Sequence, residues 1–228
     1  MATIAENIQT VRANIAAALS GADRAVLLVA ATKMNDADRV REAIAAGVDG
    51  CGENRVQEFL EKDALGAYDG CPKHFIGHLQ RNKVSKIVGR VDLIQSVDSA
   101  ELLRLIEQRA AALGIVQDIL IEISVAGEAQ KSGIAPEELS TLLSAAATCP
   151  HIAVRGLMCV PPIVPEGGSN RPYFALMRQL FVDNSGKKYD NVSMDFLSMG
   201  MTDDYTDAVA EGANMVRIGS AIFGRRQY

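Results

Sequence analysis

A lysine stands at the end of an uninterrupted apolar stretch. Residues 25–31 (AVLLVAA) contain no polar side chain, and Thr32 and Lys33 follow directly. Such a run is typical of a parallel strand that is buried on both faces. Desolvation against a dry core lowers the pKa of an amine and frees it to attack a carbonyl, so Lys33 is a candidate for Schiff-base chemistry. The alternative is a lysine whose stem is buried while its ammonium reaches solvent.

Two segments near the end of the sequence could hold a phosphate group. Glycine lets backbone N–H groups approach an anion closely, hydroxyl groups add donors, and helix N-termini favour negative charge. The alternative is a pair of ordinary strand-to-helix turns. The segments LSMGMTDD (197–204) and RIGSAIFG (217–224) supply Ser198, Met199, Gly200, Gly219 and Ser220.

An imine-forming amine that faces a phosphate site is what pyridoxal 5'-phosphate requires. The aldehyde and the phosphate of this cofactor project from opposite sides of one ring. Arg217 lies on the predicted strand that leads into the second phosphate segment. A guanidinium can only donate, so at the pyridine nitrogen it would keep that nitrogen unprotonated and make the ring a weak electron sink. A plain salt-bridge role for Arg217 is the alternative.

Strands and helices alternate along the chain, which implies parallel pairing with right-handed crossovers. Eight such units predict an α/β fold with a single (β/α)8 TIM-type barrel domain over residues 1–228; an open doubly wound sheet is the alternative. Apolar residues at helical spacing over residues 4–19 predict an extra N-terminal helix. The strands are predicted at 25–31, 48–52, 74–77, 92–97, 118–125, 154–160, 194–198 and 215–219.

In a barrel, the C-terminal ends of the strands share the face that carries the active site. Polar residues cluster at these predicted ends, although a serine at a strand end is more often a turn or cap residue. The set contains Lys33, Glu53, Asn54, His78, Gln80, Ser96, Ser198 and Arg217.

Composition excludes several classes of function. The net charge of −5 argues against a broad phosphate footprint, so nucleic acid is an unlikely partner. The first residues contain acidic Glu6 and no apolar block of the length that a signal peptide or membrane span needs, so we expect a cytoplasmic protein with no membrane partner.

The cysteines and histidines form no metal-binding pattern. The cysteines have no C-x-x-C spacing, so we expect reduced thiols and neither a zinc site nor a redox pair. His74 and His78 are four residues apart on a predicted strand and His151 stands alone, so no metal site is expected. The cysteines are Cys51, Cys71, Cys149 and Cys159.

Several segments together resemble the YggS/PROSC family of pyridoxal phosphate homeostasis proteins. The resemblance spans residues 33–224 and implies a fold-type III PLP-binding barrel, similar to the N-terminal domain of alanine racemase, with no firmly assigned reaction. The segments are ATKMND (31–36), GENRVQE (52–58), HFIGHLQRNK (74–83), GLMCVPP (156–162), LSMGMTDD (197–204) and GANMVRIGSAIFG (212–224).

The family resemblance also implies roles for individual residues. Lys33 matches the lysine that forms the internal aldimine, Arg217 matches the partner of the pyridine nitrogen, and Asn54 matches a residue near the cofactor ring. His78 matches a motif with a supporting role. The phosphate loop is matched by Ser198, Gly200, Gly219 and Ser220.

The same resemblance bears on catalysis. Alanine racemases take a second base, a tyrosine, from a separate C-terminal domain, whereas only residues 225–228 follow the barrel here. We therefore expect no catalytic residues and a PLP carrier that exchanges the cofactor with free amino acids or PLP-dependent apoenzymes. A PLP-dependent amino-acid racemase and a cofactor-free Schiff-base aldolase are the alternatives. The basic stretch 73–86 is interpreted as a solvated helix face or as a docking surface for acceptor proteins or a second phosphate ligand.

Overall fold

The computed structural model describes residues 2–126, 132–163, 168–186 and 189–224. Eight parallel strands close into a barrel in which each strand pairs with the next along the chain and the last pairs with the first. The strands are β1 (Leu27–Ala31), β2 (Gly50–Glu53), β3 (Lys73–Phe75), β4 (Leu93–Val97), β5 (Gln117–Ile123), β6 (Ile152–Cys159), β7 (Val192–Ser198) and β8 (Met215–Ile218). The predicted barrel is confirmed, and the open doubly wound sheet is wrong.

Helices surround this barrel. Short 3₁₀ turns at Arg81–Lys83 and Pro136–Glu138 lead into two of them. The helices are α1 (Ile4–Leu19), α2 (Ala37–Ala45), α3 (Val56–Ala64), α4 (Val84–Ile87), α5 (Ala100–Leu113), α6 (Leu139–Ala146), α7 (Arg171–Ser185), α8 (Tyr205–Ala210) and α9 (Ser220–Phe223).

The pairing of β8 with β1 closes the barrel and sets the level of the site residues. Leu27 lies beside Met215, and Val29 lies beside Arg217. Alternate residues of a strand point to opposite faces. Val29 and Met215 belong to a small cluster inside the barrel, whereas the neighbouring Leu28 packs in the larger cluster between strands and helices. Arg217 is two residues from Met215 on the same strand, so its side chain points into the barrel as that of Met215 does. Position 33 lies two residues beyond the end of β1 and continues the same alternation.

The extra N-terminal helix lies along the side of the barrel. Its apolar face is buried against α2, α8 and α9, so within the described residues it fills the outer ring beside the four-residue α9 that follows β8. Asn7 donates to the carbonyl of Ile222 (2.8 Å), while Arg12 pairs with Asp49 (2.9 Å) just before β2. A capping box between Thr3 and Glu6 starts the helix.

Some element boundaries differ from the expected ones. β1 begins at Leu27, two residues later than the apolar run, because pairing starts where the Leu27 N–H reaches the carbonyl of Asn214. The basic stretch 73–86 is divided among β3, a 3₁₀ turn and α4, so its interpretation as one helix face is wrong. Among the described residues, no helix has the length and apolar character needed to cross a membrane.

Candidate functional site

Lys33 lies in a tight turn directly after β1. The N–H of Thr32 still donates to the carbonyl of Gly52 (2.9 Å), as in a strand, and the chain then turns. Met34 has a φ of 62°, an uncommon value for a residue with a side chain. The side-chain amide of Asn35 donates to the carbonyl of Lys33 (3.1 Å). Lys33 itself is half-buried at the C-terminal mouth of the barrel.

Two side chains of α3 hold the peptide groups on either side of Lys33. The ammonium of Lys62 donates to the carbonyl of Thr32 (2.7 Å), and the Glu58 carboxylate accepts the N–H of Met34 (2.7 Å). Glu58 and Lys62 are four residues apart on one helix face, and their charged atoms are 3.6 Å apart. The strained turn at Met34 is thereby fixed from outside the barrel wall.

A buried ion pair supports this arrangement. Glu53, at the end of β2, is 1% exposed and accepts from Lys62 at 2.6 Å. The same carboxylate accepts the hydroxyl of Thr32 (3.1 Å) and the backbone N–H of Asn54 (2.7 Å). Because both charges are hydrogen-bonded several times, their desolvation is offset. From the sequence, Glu53 was predicted only to lie at a strand end. Lys62 was not predicted at all, although its spacing of four residues from Glu58 could have indicated an ion pair on one helix face.

Asn54 follows β2 and offers an unused acceptor. Its side-chain Oδ1 is buried and has no hydrogen-bond partner among the described residues. Its backbone lies against Gly77, where an added Cβ would come within 2.2 Å of the Asn54 carbonyl oxygen. A buried polar atom without a partner is uncommon in proteins, and a bound ligand is one explanation for it.

Arg217 is held inside the barrel by hydrogen bonds. One guanidinium nitrogen donates to the carbonyl of Cys159 (2.8 Å) and another to the hydroxyl of Ser198 (2.5 Å). Burial lowers the pKa of Arg217, but arginine starts so high that it stays charged. No carboxylate among the described residues lies within ion-pair distance of it, which leaves the plain salt-bridge alternative without support there.

The Ser198 hydroxyl belongs to a chain of hydrogen bonds through the barrel. It donates to Gln95 Oε1 (2.7 Å), and Gln95 Nε2 lies 2.9 Å from His74 Nδ1. Burial lowers the pKa of His74 to about 4, so the ring is neutral near pH 7 and its Nδ1 can accept. The predicted role of Ser198 in a phosphate loop stays a prediction; in this structure its hydroxyl is engaged by Gln95 and Arg217. Gln95 was missed, and the signal was a pair of neighbouring polar residues, Gln95 and Ser96, within a short buried strand.

Glu122 on β5 is a second residue that sequence reasoning missed. Its pKa is raised to about 7, first by burial and then by the negative charge of Asp98, while the positive charge of Arg217 opposes the shift. The glutamate is 5% exposed. A carboxyl group that titrates near neutral pH at a barrel mouth is a candidate functional group. The feature of the sequence that could have identified Glu122 is a single acidic residue within the apolar strand sequence ILIEI (119–123).

The loops after β7 and β8 are joined to each other. Thr202 Oγ1 accepts from the Ser220 hydroxyl (3.2 Å) and from the N–H of Ala221 (3.2 Å). The carbonyl of Gly200 accepts the N–H of Arg217 (3.0 Å). Thr202 was not singled out from the sequence, although it lies in the quoted LSMGMTDD segment.

The glycines of these loops have different constraints. Gly200 has a φ of 94°, and an added Cβ would lie 2.6 Å from the Cβ of Ala208, so only glycine fits. An added Cβ on Gly219 would lie 3.5 Å from the carbonyl oxygen of Ala31, which is ordinary contact distance. Met199 is fully buried, so its side chain lies in the core. Open backbone at Gly219, beside the end of β1, is suited to the approach of an anion.

The structure therefore brings together most of the predicted residues. Lys33, Arg217 and Gly219 belong to the adjacent strands β1 and β8 and to the loops that follow them. Asn54 lies after the next strand around the barrel. An amine, a buried guanidinium, an open glycine loop and an unpaired amide oxygen fit a molecule with a carbonyl group, a polar ring and a phosphate group.

Comparison with known proteins identifies the family. The family model described as alanine racemase, N-terminal domain, matches residues 1–227. A pyridoxal phosphate homeostasis protein of Aquifex aeolicus is 44% identical, covering 88% of this chain and 87% of that protein. The corresponding protein of Pseudomonas aeruginosa is 43% identical, covering 100% and 98%. The chain belongs to the pyridoxal phosphate homeostasis protein family.

Solved structures agree with membership of the pyridoxal phosphate homeostasis protein family, and the resemblance seen in the sequence is confirmed. The structure of PipY from Synechococcus elongatus with PLP bound has a TM-score of 0.84 and 32% identity, covering 97% of this chain and 100% of that chain. An alanine racemase of Clostridium difficile has a TM-score of 0.71 and 15% identity, covering 97% and 57%. The second likeness shows the fold alone.

Two histidines outside the barrel interior pair with carboxylates. His78 pairs with Asp98 (3.2 Å), and His151, which appeared isolated in the sequence, pairs with Glu107 (2.8 Å). Within the described part of the chain, no three His, Cys, Asp or Glu residues are grouped for a metal ion. The four cysteines are free, but the fold brings Cys51 and Cys71 to 3.8 Å between sulfur atoms, a proximity that their sequence spacing did not indicate.

Proposed function

We propose that this chain binds pyridoxal 5'-phosphate at the C-terminal mouth of its barrel and serves in the homeostasis of that cofactor. The observation that carries the proposal is the placement of Lys33, Arg217 and Gly219 on two adjacent strands and their loops. Membership of a family whose relatives are named for pyridoxal phosphate, one with PLP bound in its structure, supports it.

Each predicted site residue has a proposed task. The Lys33 amine would hold the cofactor through its aldehyde as a Schiff base, and the turn held by Glu58 and Lys62 presents that amine. Arg217 would face the pyridine nitrogen and keep it unprotonated, because a guanidinium can only donate hydrogen bonds. Bound pyridoxal phosphate supplies an aldehyde that exchanges between amines. The phosphate would be held by the loops that contain Gly200, Gly219 and Ser220, with Ser198 and Met199 at the start of the first of these loops and Asn54 near the ring.

A carrier role is favoured over catalytic turnover. An unprotonated ring nitrogen weakens the cofactor as an electron sink, and a weak sink disfavours carbanion formation at an amino acid. Exchange of the cofactor with amines needs no such carbanion. The proposed partners are free amino acids and PLP-dependent apoenzymes in the cytoplasm, and the proposed domain is a single barrel over residues 1–228.

The decisive experiment is an absorption spectrum of the purified protein with and without borohydride, followed by peptide mapping. We expect a yellow protein whose imine is reduced onto Lys33. The Lys33→Ala variant should lose the imine absorption, while Lys73→Ala, which removes a lysine paired with Asp63 away from the mouth, should retain it. A colourless protein that forms a borohydride-trapped imine only with a sugar phosphate would instead indicate an aldolase. Label on a lysine other than Lys33 would refute the assignment.

One observation favours a second candidate, a PLP-dependent enzyme that acts at the Cα of amino acids. The pKa of Glu122, raised to about 7, suits general acid–base chemistry near neutral pH. Exchange of the Cα proton of amino acids in D₂O, followed by NMR, tests this candidate. Exchange that depends on both Lys33 and Glu122 would support the enzyme, and its absence across common amino acids would support the carrier.

A further inference from the structure

A basic cleft lies on the face of the barrel that also carries Lys33, between the first turn of α3 and the segment that follows β3. Its volume is about 340 Å³, which is within the range of small-molecule sites. Seven of its eight lining residues have side chains that can donate hydrogen bonds. The lining residues are Asn54, Arg55, Val56, Gln57, His78, Gln80, Lys83 and Lys86.

The charge of this cleft is opposite to that of the whole chain. No lining residue is acidic, although the net charge of the protein is −5. Arg55 approaches Glu58 only at 3.4 Å, and His78 pairs with Asp98 at 3.2 Å. Over the part of the chain that the structure describes, neither Lys83 nor Lys86 has a carboxylate within ion-pair distance. Their positive charges therefore lack a counter-charge among the described residues.

We propose that this cleft binds a phosphate monoester, separately from the site at Lys33. Three permanent cations and neutral amide donors converge on one concave volume, which suits a compact dianion. The volume also leaves room for a small organic group beside the phosphate. A nucleic acid would need an extended basic surface, whereas the neighbouring Arg81 is already paired with Glu101 (2.8 Å).

The cleft and the proposed cofactor site use different cationic and glycine residues. The cofactor site depends on the ends of β1, β7 and β8, whereas the cleft is built after β2 and β3. Asn54 is the residue they share, since it lines the cleft and follows Glu53. The inference does not depend on the proposed function, because each site can be disrupted by itself.

Titration with glycerol 3-phosphate, followed by ³¹P NMR line width, tests the cleft. The Lys83→Ala/Lys86→Ala variant should weaken this binding by about tenfold or more. The matched control is Arg41→Ala/Arg104→Ala, which changes the net charge equally at α2 and α5 outside the cleft; it should change binding less than about twofold. Gly219→Ala should leave the cleft binding intact.

Three outcomes would overturn the proposal. Equal loss in the two double variants would indicate a general charge effect. Loss in Gly219→Ala alone would place the phosphate at the β7 and β8 loops. A single-stranded oligonucleotide that binds at least a hundredfold more tightly than glycerol 3-phosphate, with the same dependence on Lys83 and Lys86, would indicate a macromolecular ligand. Binding lost only in Lys83→Ala/Lys86→Ala supports the proposal.

Discussion

The ammonium of Lys62 donates a hydrogen bond to the carbonyl oxygen of Thr32 at 2.7 Å. Thr32 directly precedes Lys33, and the residue after Lys33, Met34, is bound through its N–H to Glu58. A single helix outside the barrel wall therefore holds both peptide groups around the lysine. The position of the Lys33 amine should depend on α3 as much as on β1.

Substitution of Lys62 tests this support. Lys62→Met should lower the free energy of unfolding by about 3–5 kcal/mol, because it leaves the carboxylate of Glu53 buried without its partner. It should also reduce the fraction of protein that carries the proposed Lys33 imine at a fixed PLP concentration. Urea unfolding and the imine absorption measure the two effects.

A matched pair of variants separates loss of the ion pair from loss of the lysine stem. Glu53→Gln/Lys62→Met should recover much of the stability, because the uncompensated charge is removed. Lys73→Met removes a half-buried lysine that pairs with Asp63 and should cost only about 0–1 kcal/mol. Similar stability of Lys62→Met and Lys73→Met would contradict the structural role assigned to Lys62.

The barrel could be predicted because strand and helix patterns are local in the sequence. Lys33 could be predicted for the same reason, since an apolar run and the lysine that ends it are adjacent. The contacts that hold Lys33 could not, because they join Thr32 to Lys62, thirty residues apart. The pairing of Gln95 with Ser198 spans 103 residues and depends on the closure of the barrel. Patterns in one sequence give the faces of elements, but not which polar side chains meet inside.

The two loop glycines should respond differently to alanine. Gly200→Ala should lower the free energy of unfolding by about 1–3 kcal/mol, because the new methyl group meets Ala208 at 2.6 Å and φ is 94°. Gly219→Ala should change stability by less than about 1 kcal/mol, since its methyl group meets nothing closer than 3.5 Å. The methyl group on Gly219 should nevertheless weaken PLP binding by about tenfold by keeping phosphate from the backbone. Urea unfolding and PLP titration measure these effects.

Gly186→Ala is the control for this pair, because an added Cβ there has no neighbour within 4 Å. Gly186→Ala should change stability much less than Gly200→Ala does, and it should change PLP binding much less than Gly219→Ala does. A Gly219→Ala variant with unchanged PLP affinity would remove the β8 loop from the phosphate site.

Alanine substitutions at Ser198 and Ser220 distinguish two roles for a serine of this site: holding the Arg217 side chain, and contacting the phosphate. Ser198→Ala should cost about 1–3 kcal/mol of stability, because it leaves Gln95 Oε1 and a guanidinium N–H of Arg217 buried without this partner. Its effect on the pH dependence of the imine spectrum should exceed its effect on PLP affinity. Ser220→Ala, at the exposed first residue of α9, should weaken PLP binding and leave stability nearly unchanged. Greater loss of PLP affinity in Ser198→Ala would restore that hydroxyl to the phosphate site.

The placement of Ser198 shows the limit of a sequence motif. The segment LSMGMTDD predicts a phosphate loop from residue types, and the backbone of that loop does run beside Ser220 through Thr202. The direction of each side chain depends on strand parity, which turns the Ser198 hydroxyl toward Gln95 and Arg217. A motif can therefore locate a loop while leaving the task of one of its side chains undetermined.

Glu122 should make stability depend on pH near neutrality. Its folded pKa is about 7, above the usual 4.5, so the unfolded state releases the proton first as pH rises. Its contribution to folding is therefore fully present below pH 4.5 and is lost as pH rises through 7, at a cost of about 3 kcal/mol. The Glu122→Gln variant should match the parent near pH 4.5 and exceed it in unfolding free energy at pH 8. Urea unfolding at several pH values measures the difference.

Comparison of variant with parent at each pH isolates Glu122 from His74, which is also buried. His74 acts in the opposite direction, because its pKa of about 4 removes stability as pH falls below 6.5, and this contribution is common to both proteins. Glu61→Gln, on the exposed side of α3, controls for the substitution itself. A difference between Glu122→Gln and parent that does not grow between pH 5 and 8 would show that the carboxyl group is already ionised when buried.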